Sequence, residues 1–200
     1  MEITGSPSRR NFLALGAVSG AGALLAGCGL AGAAPTQAAS KRSSLYLAIV
    51  TPAATGKADF PAYIPAYFTL PAHSTVEVQI LNFDDATALP KGAEQFAKVS
   101  GTIGRQVKVE PIDLGNPNLP TGPARAISEM DPGQVSHTFT ITKLGINVPV
   151  TAKARTTFTL ETGAPGTYDW RCLDPCGTGA SGWGGPMAAA GYMSGTLTIE

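Results

Sequence analysis

The two thiols best suited to chemistry in this sequence, Cys172 and Cys176, lie four positions apart in the run Gly166-Thr-Tyr-Asp-Trp-Arg-Cys172-Leu-Asp-Pro-Cys176-Gly177. Tyr168, Trp170 and Cys172 alternate as on one face of a strand, and the chain then enters a turn. A loop leaving a strand can aim both sulfurs at one point, and thiolate and thioether ligands select copper, with imidazole a compatible addition. His137 opens a second alternating run, His137-Thr-Phe-Thr-Ile-Thr142. If the strands carrying His137 and Cys172 are antiparallel neighbours, these residues meet at one end of the fold. Met187 and Met193 lie on the return path and offer a thioether. The expected constellation is therefore His137, Cys172, Cys176 and one methionine, Met187 with Met193 as the alternative. The chain holds only two histidines and three cysteines, so a multi-histidine centre cannot be assembled from it.

The same residues have plainer readings. Outside the reducing cytosol, Cys172 and Cys176 can form a structural disulfide. His137 alone reads as a buried, hydrogen-bonded core residue, the methionines as core filler, and Tyr168 and Trp170 as core aromatics. Asp84, Asp85 and Asp174 read as solvated turn residues. Trp183, in a glycine-rich loop, reads as a docking residue or as a lid. No Ser-His-Asp set, phosphate-cradling glycine loop or haem-attachment motif is present.

The elements that would position these residues are short strands. Of 200 residues, 24 are Gly and 16 Pro, 44% are hydrophobic and the formal net charge is zero. A helical bundle does not fit that composition, and the basic footprint of a nucleic-acid binder is missing. Period-two runs at Leu45–Val50, Tyr67–Leu70, Val76–Asn82, His137–Thr142, Thr156–Leu160, Tyr168–Cys172 and Gly195–Ile199 predict an all-β sandwich with Greek-key connections. Residues 86–136 show weak periodicity, a candidate short helix at Lys91–Val99 and prolines at 111, 117, 120, 123 and 132. They predict an irregular insertion, either a lid over one end of the sandwich or a segment whose structure the pattern does not reveal.

The first 27 residues read as an export signal: paired arginines in Ser8-Arg9-Arg10-Asn11-Phe12-Leu13, a short apolar run, and Leu25-Ala26-Gly27-Cys28. The apolar run falls short of the ~20 residues needed to cross a bilayer. Residues 28–43 are small and polar and predict a flexible spacer ahead of a 44–200 domain. The opening resembles a twin-arginine signal and Leu-Ala-Gly-Cys resembles a bacterial lipobox. That resemblance implies an extracytoplasmic protein lipid-anchored to the membrane through Cys28.

The body resembles a cupredoxin, and more narrowly the copper (CuA) domain of cytochrome c oxidase subunit II. The likeness rests on His137-Thr-Phe-Thr-Ile, Leu144-Gly-Ile-Asn-Val148 with its proline, Pro165-Gly166-x-Tyr168, and Cys-x-x-x-Cys-Gly followed by a methionine. Pro71-Ala-His73-Ser-Thr-Val76 through Asn82-Phe-Asp84 adds a weaker echo. The resemblance implies that Cys172 and Cys176 bridge copper, that His137 caps it, that Met187 is a weak ligand, and that Asp174 lends its backbone carbonyl. The family places a histidine four residues after the second cysteine, where this chain has Ala180. Copper is therefore expected as either a mononuclear or a CuA-like binuclear centre. His73 lies about 30 Å from the expected site along an extended strand and reads as a turn residue rather than the missing ligand.

These features predict a non-enzymatic, membrane-anchored electron carrier that serves a redox partner such as a cytochrome or an oxidase. A lipoprotein that stores or delivers copper is the alternative, together with a metal-free module closed by a Cys172–Cys176 bridge.

Overall fold

The computed structural model describes residues 41–176 and 184–200. The export signal, Cys28, most of the spacer, Ala180 and Trp183 lie outside the described residues. Eleven strands are described: β1 (Lys41–Val50), β2 (Ala62–Ile64), β3 (Tyr67–Leu70), β4 (Ser74–Asn82), β5 (Val107–Pro111), β6 (Arg125–Ile127), β7 (Val135–Ile141), β8 (Ile146–Thr151), β9 (Ala154–Glu161), β10 (Gly166–Arg171) and β11 (Ser194–Ile199). The only α-helix among the described residues is the single turn α1 (Pro52–Thr55).

The strands form the expected two-sheet sandwich. One sheet runs β2-β1-β4-β9-β5-β6 and the other β3-β11-β10-β7-β8. β1 lies parallel to β4 and β3 parallel to β11, while the remaining pairs are antiparallel. After the β7–β8 hairpin, β9 crosses to the facing sheet and β10 returns beside β7, a Greek-key path. That return brings the strand carrying His137 alongside the one that ends before Cys172.

Alternation drives this packing. Val76, Val78 and Ile80 of β4, Phe158 and Leu160 of β9, Phe139 and Ile141 of β7, and Leu197 and Ile199 of β11 all project into the shared core. Trp170 is fully buried at its centre, with Tyr63 and Phe139 ring centroids 4.9 and 5.6 Å away. Its indole N–H donates to the Ala66 carbonyl at 2.9 Å, so the polar edge of the ring is satisfied inside the core. Gly195 makes this possible, because a Cβ there would overlap the Ala66 carbonyl oxygen and come within 2.8 Å of Trp170 Nε1.

Several elements depart from the sequence expectation. β1 begins at Lys41, inside the segment expected to be spacer, because its first residues extend the parallel pairing with β4. The 86–136 segment contains β5, which pairs with β9, and β6, which pairs with β5, so part of it widens a sheet. The Arg155 guanidinium ties this extension down by binding the Glu110 carboxylate and the Pro117 carbonyl. The candidate helix at Lys91–Val99 is a 3-10 turn over Glu94–Ala97. It packs on the other sheet, where Asn147 Nδ2 donates to the Phe96 and Lys98 carbonyls.

Candidate metal centre

β7 carries His137 to the end of the sandwich, and a register shift between Val135 and His137 bends the strand there. β10 delivers Cys172 one residue past its last paired position. The loop that follows is pinned to β7: the Leu173 N–H donates to Thr138 Oγ1 at 2.7 Å, and the Thr138 N–H donates to Cys172 Sγ at 3.3 Å. A turn through Leu173, Asp174 and Pro175 then sets Cys176 beside Cys172.

The result is a compact, buried donor set. His137 Nδ1, Cys172 Sγ and Cys176 Sγ all lie within 4.8 Å of one another, and the three residues are essentially inaccessible to solvent. His137 Nδ1 is 2.9 Å from Cys176 Sγ. The two sulfurs are free thiols 3.0 Å apart, well beyond the ~2.05 Å of a disulfide bond. The Asp174 carbonyl oxygen stands 2.8 Å from Cys176 Sγ and 3.3 Å from Cys172 Sγ. Two sulfurs, one imidazole nitrogen and one carbonyl oxygen thus converge on a single point, a donor set that suits a soft, thiophilic cation.

Asp84, expected to be solvated, is instead part of the site. It follows β4 and places Oδ2 3.1 Å from His137 Nε2. Asn82 shapes this approach: its Oδ1 accepts the Asp84 N–H at 2.9 Å, and its Nδ2 donates to Ser136 Oγ and to the Thr151 carbonyl. A carboxylate on Nε2 fixes the ring orientation and leaves Nδ1 facing the sulfurs. Asp84 and His137 are far apart in sequence, and the signal available was that the Asn82-Phe-Asp84 strand end and the start of the His137 strand fall at the same end of the sandwich. Asp174 also departs from expectation. It is buried, and its carboxylate oxygens have no hydrogen-bond partner among the described residues. Asp85 is exposed as predicted and pairs with Lys153.

Electrostatics follow from this burial. Desolvation pushes the His137 imidazole toward neutrality, but the Asp84 carboxylate and the Cys172 sulfur outweigh it and raise its pKa to about 9. Burial likewise opposes ionisation of Cys172, yet the hydrogen bond from Cys176 and the His137 charge bring its pKa well below the thiol range. Cys176 shifts the other way, pushed up by burial and by the neighbouring Cys172. Asp174 rises to about 8, through burial first and the Cys172 charge second. Without metal, these shifts favour a proton on His137 beside the Cys172 sulfur and keep the proton on Cys176. A cation held by these residues would take the place of the protons on His137 Nδ1 and Cys176 Sγ, leaving Nε2–H on Asp84.

Met187 and Met193 are buried in the same hydrophobic cluster as the cysteines. The Met193 carbonyl accepts the Cys172 N–H at 2.8 Å, and the Met187 N–H closes a turn onto Gly184. His73 is exposed at the turn into β4, with φ +48° and its N–H on the Gly163 carbonyl. It stands at the opposite end of β4 from Asp84 and is not brought to the site.

No family profile matches this chain and no curated protein matches it. Among solved structures it is similar to auracyanin A, a "blue" copper protein from the green thermophilic photosynthetic bacterium Chloroflexus aurantiacus, at 13% identity, covering 80% of this chain and 100% of that one, with a TM-score of 0.36. It is similar to auracyanin B at 18% identity over 79% of this chain and 88% of that one, TM-score 0.34. A chain of a heme-copper terminal oxidase is similar at 12% identity over 80% of this chain and 60% of that one, TM-score 0.32.

Proposed function

We propose that this protein is a copper-binding electron carrier of the cupredoxin type, in which His137, Cys172 and Cys176 hold the metal with the Asp174 carbonyl and a methionine, Met187 or Met193, at longer range. The observation that carries this reading is the convergence of His137 Nδ1 and the two cysteine sulfurs within 4.8 Å at one end of a β-sandwich. Bound there, copper would supply a one-electron couple. The chain contributes a preset site: β7 and β10 fix the ligands from two paired strands, Asp84 orients the imidazole, and burial excludes water. A rigid, dry donor set keeps the rearrangement between the two oxidation states small, which is what outer-sphere transfer requires.

The N-terminal pattern supports an extracytoplasmic, Cys28-anchored protein whose partner is a membrane redox protein such as a cytochrome or an oxidase. The CxxxC loop supports the narrower likeness to an oxidase subunit II domain, with Ala180 standing where that family has its second histidine.

Titration with Cu(II) tests the site. An intense visible sulfur-to-copper charge-transfer band is expected in the wild-type protein and is expected to vanish in Cys172→Ser. A colourless protein indifferent to Cu(II) would overturn the reading. Tight Cu(I) binding with no reversible redox wave would instead assign the same site to copper storage or delivery.

A further inference from the structure

His137 and Cys176 are shielded from bulk water, yet both contribute to the wall of a surface cleft. The cleft encloses about 300 Å³ and is also lined by Pro52, Asp59, Pro61, Asp84 and Thr87. From the charges and the position of this opening we infer that it is the route by which the metal ion enters and leaves the site. The inference rests on the copper reading above.

Three features make the cleft suitable. It reaches two of the three clustered donor residues directly, so an ion arriving through it meets Cys176 and His137 without any strand separating. Asp59 is exposed at the opening, and Asp84 reaches from the cleft wall to His137 Nε2. With Asp84 engaged by His137, the Asp59 carboxylate at the mouth of a confined cleft is the charge that attracts a small cation and speeds its capture. The walls are also built on fixed backbone. Thr87 donates its N–H to the Val135 carbonyl at 3.0 Å, Pro61 is buried, and the segment between Pro52 and Pro61 is folded by α1 and by Thr55 Oγ1, which donates to the Phe60 carbonyl at 2.8 Å. The opening is thus part of the fold. The imidazole and one thiol lie within reach of an incoming ion, while Cys172 and the Asp174 carbonyl complete its ligation from behind.

Anaerobic stopped-flow mixing with Cu(I), followed through near-ultraviolet thiolate-to-copper absorption, separates the route from the site. Thr87→Trp narrows the cleft while leaving every donor residue unchanged. It is expected to lower the rate constants for uptake and for release to a chelator by the same factor, roughly tenfold or more, with the equilibrium affinity unchanged. Asp59→Lys, at an exposed position, is expected to slow uptake roughly tenfold at low salt and to lose most of that effect at high salt. Uptake by both variants at the wild-type rate, with wild-type affinity, would overturn the route and leave the site standing. A wild-type protein that takes up no Cu(I) would overturn both. If Thr87→Trp does not fold, the salt-dependent slowing in Asp59→Lys decides the matter alone.

Discussion

At the scale of single residues, the arrangement turns on how one imidazole is held. His137 has Asp84 on one nitrogen and the sulfurs on the other, so its orientation is fixed before any ion arrives. Removing the carboxylate in Asp84→Ala should cost about 10–100-fold in copper affinity. Asp84→Asn keeps an oxygen that can accept from Nε2–H and should recover most of that loss. Chelator competition measures both, and equal losses in the two variants would show that Asp84 acts through its charge rather than by orienting the ring. The residues that the structure brings together, His137, Cys172 and Cys176, stand out in the sequence because sulfur and imidazole are scarce in this chain and His137 and Cys172 sit at the ends of alternating runs. Asp84 was not legible as part of the site, and Asp174 was expected there only through its backbone carbonyl, not with a buried carboxylate. An aspartate near a strand end reads as a turn residue, and only the packing of the end of β4 against the start of β7 in the facing sheet, and the folding back of the loop after β10, turn these two inward.

At the scale of elements, the longer strands with clean alternation were readable, and the short strands and those without alternation were not. β8 is buried on both faces for nearly its whole length and carries Pro149, so it shows no period of two. β2 and β6 have only three residues each. Within the 86–136 segment only β5 alternates, over residues 107–110, a run too short to stand out among the prolines and glycines around it, and much of the rest is held by specific polar contacts. Asn147 is the main joint. It accepts from Thr140 Oγ1 at 2.7 Å and donates to the Phe96 and Lys98 carbonyls, linking the central strand β7, the edge strand β8 and the 3-10 turn. Asn147→Ala leaves the Thr140 hydroxyl and two carbonyls without these partners and should destabilise the domain by about 2–3 kcal/mol in urea denaturation. A loss under 0.5 kcal/mol would mean that the turn is only loosely attached to the sheet.

At the scale of the whole molecule, the charges in the metal-free site make stability depend on pH. His137 keeps its proton to about pH 9 when folded and to 6.5 when unfolded. Cys172 loses its proton well below 9 when folded and near 9 when unfolded. With His137 raised and Cys172 lowered, the folded pair carries on His137 the proton that the unfolded chain carries on Cys172, and the two shifts offset one another in slope. Asp174 is left to act. Folded, it retains its proton to about pH 8, whereas the unfolded chain releases it near 3.8, so stability falls as pH rises from 6.5 through 8. Asp174→Asn removes that fall, which urea denaturation of the metal-free protein at pH 6.5 and 8 would show. An unchanged slope would place the titrating group elsewhere.

The central claim is that one imidazole and two thiolates of this chain share a copper centre, and X-ray absorption spectroscopy at the copper edge tests it most directly. Only two histidines exist in the chain and His73 lies at the far end of β4, so the assignment is clean. The copper-loaded protein should show a sulfur shell together with the multiple-scattering signature of imidazole. That signature should be lost in His137→Ala and retained in His73→Ala. A copper ion ringed by nitrogen and oxygen alone, or an imidazole signal that survives in His137→Ala, would contradict the account.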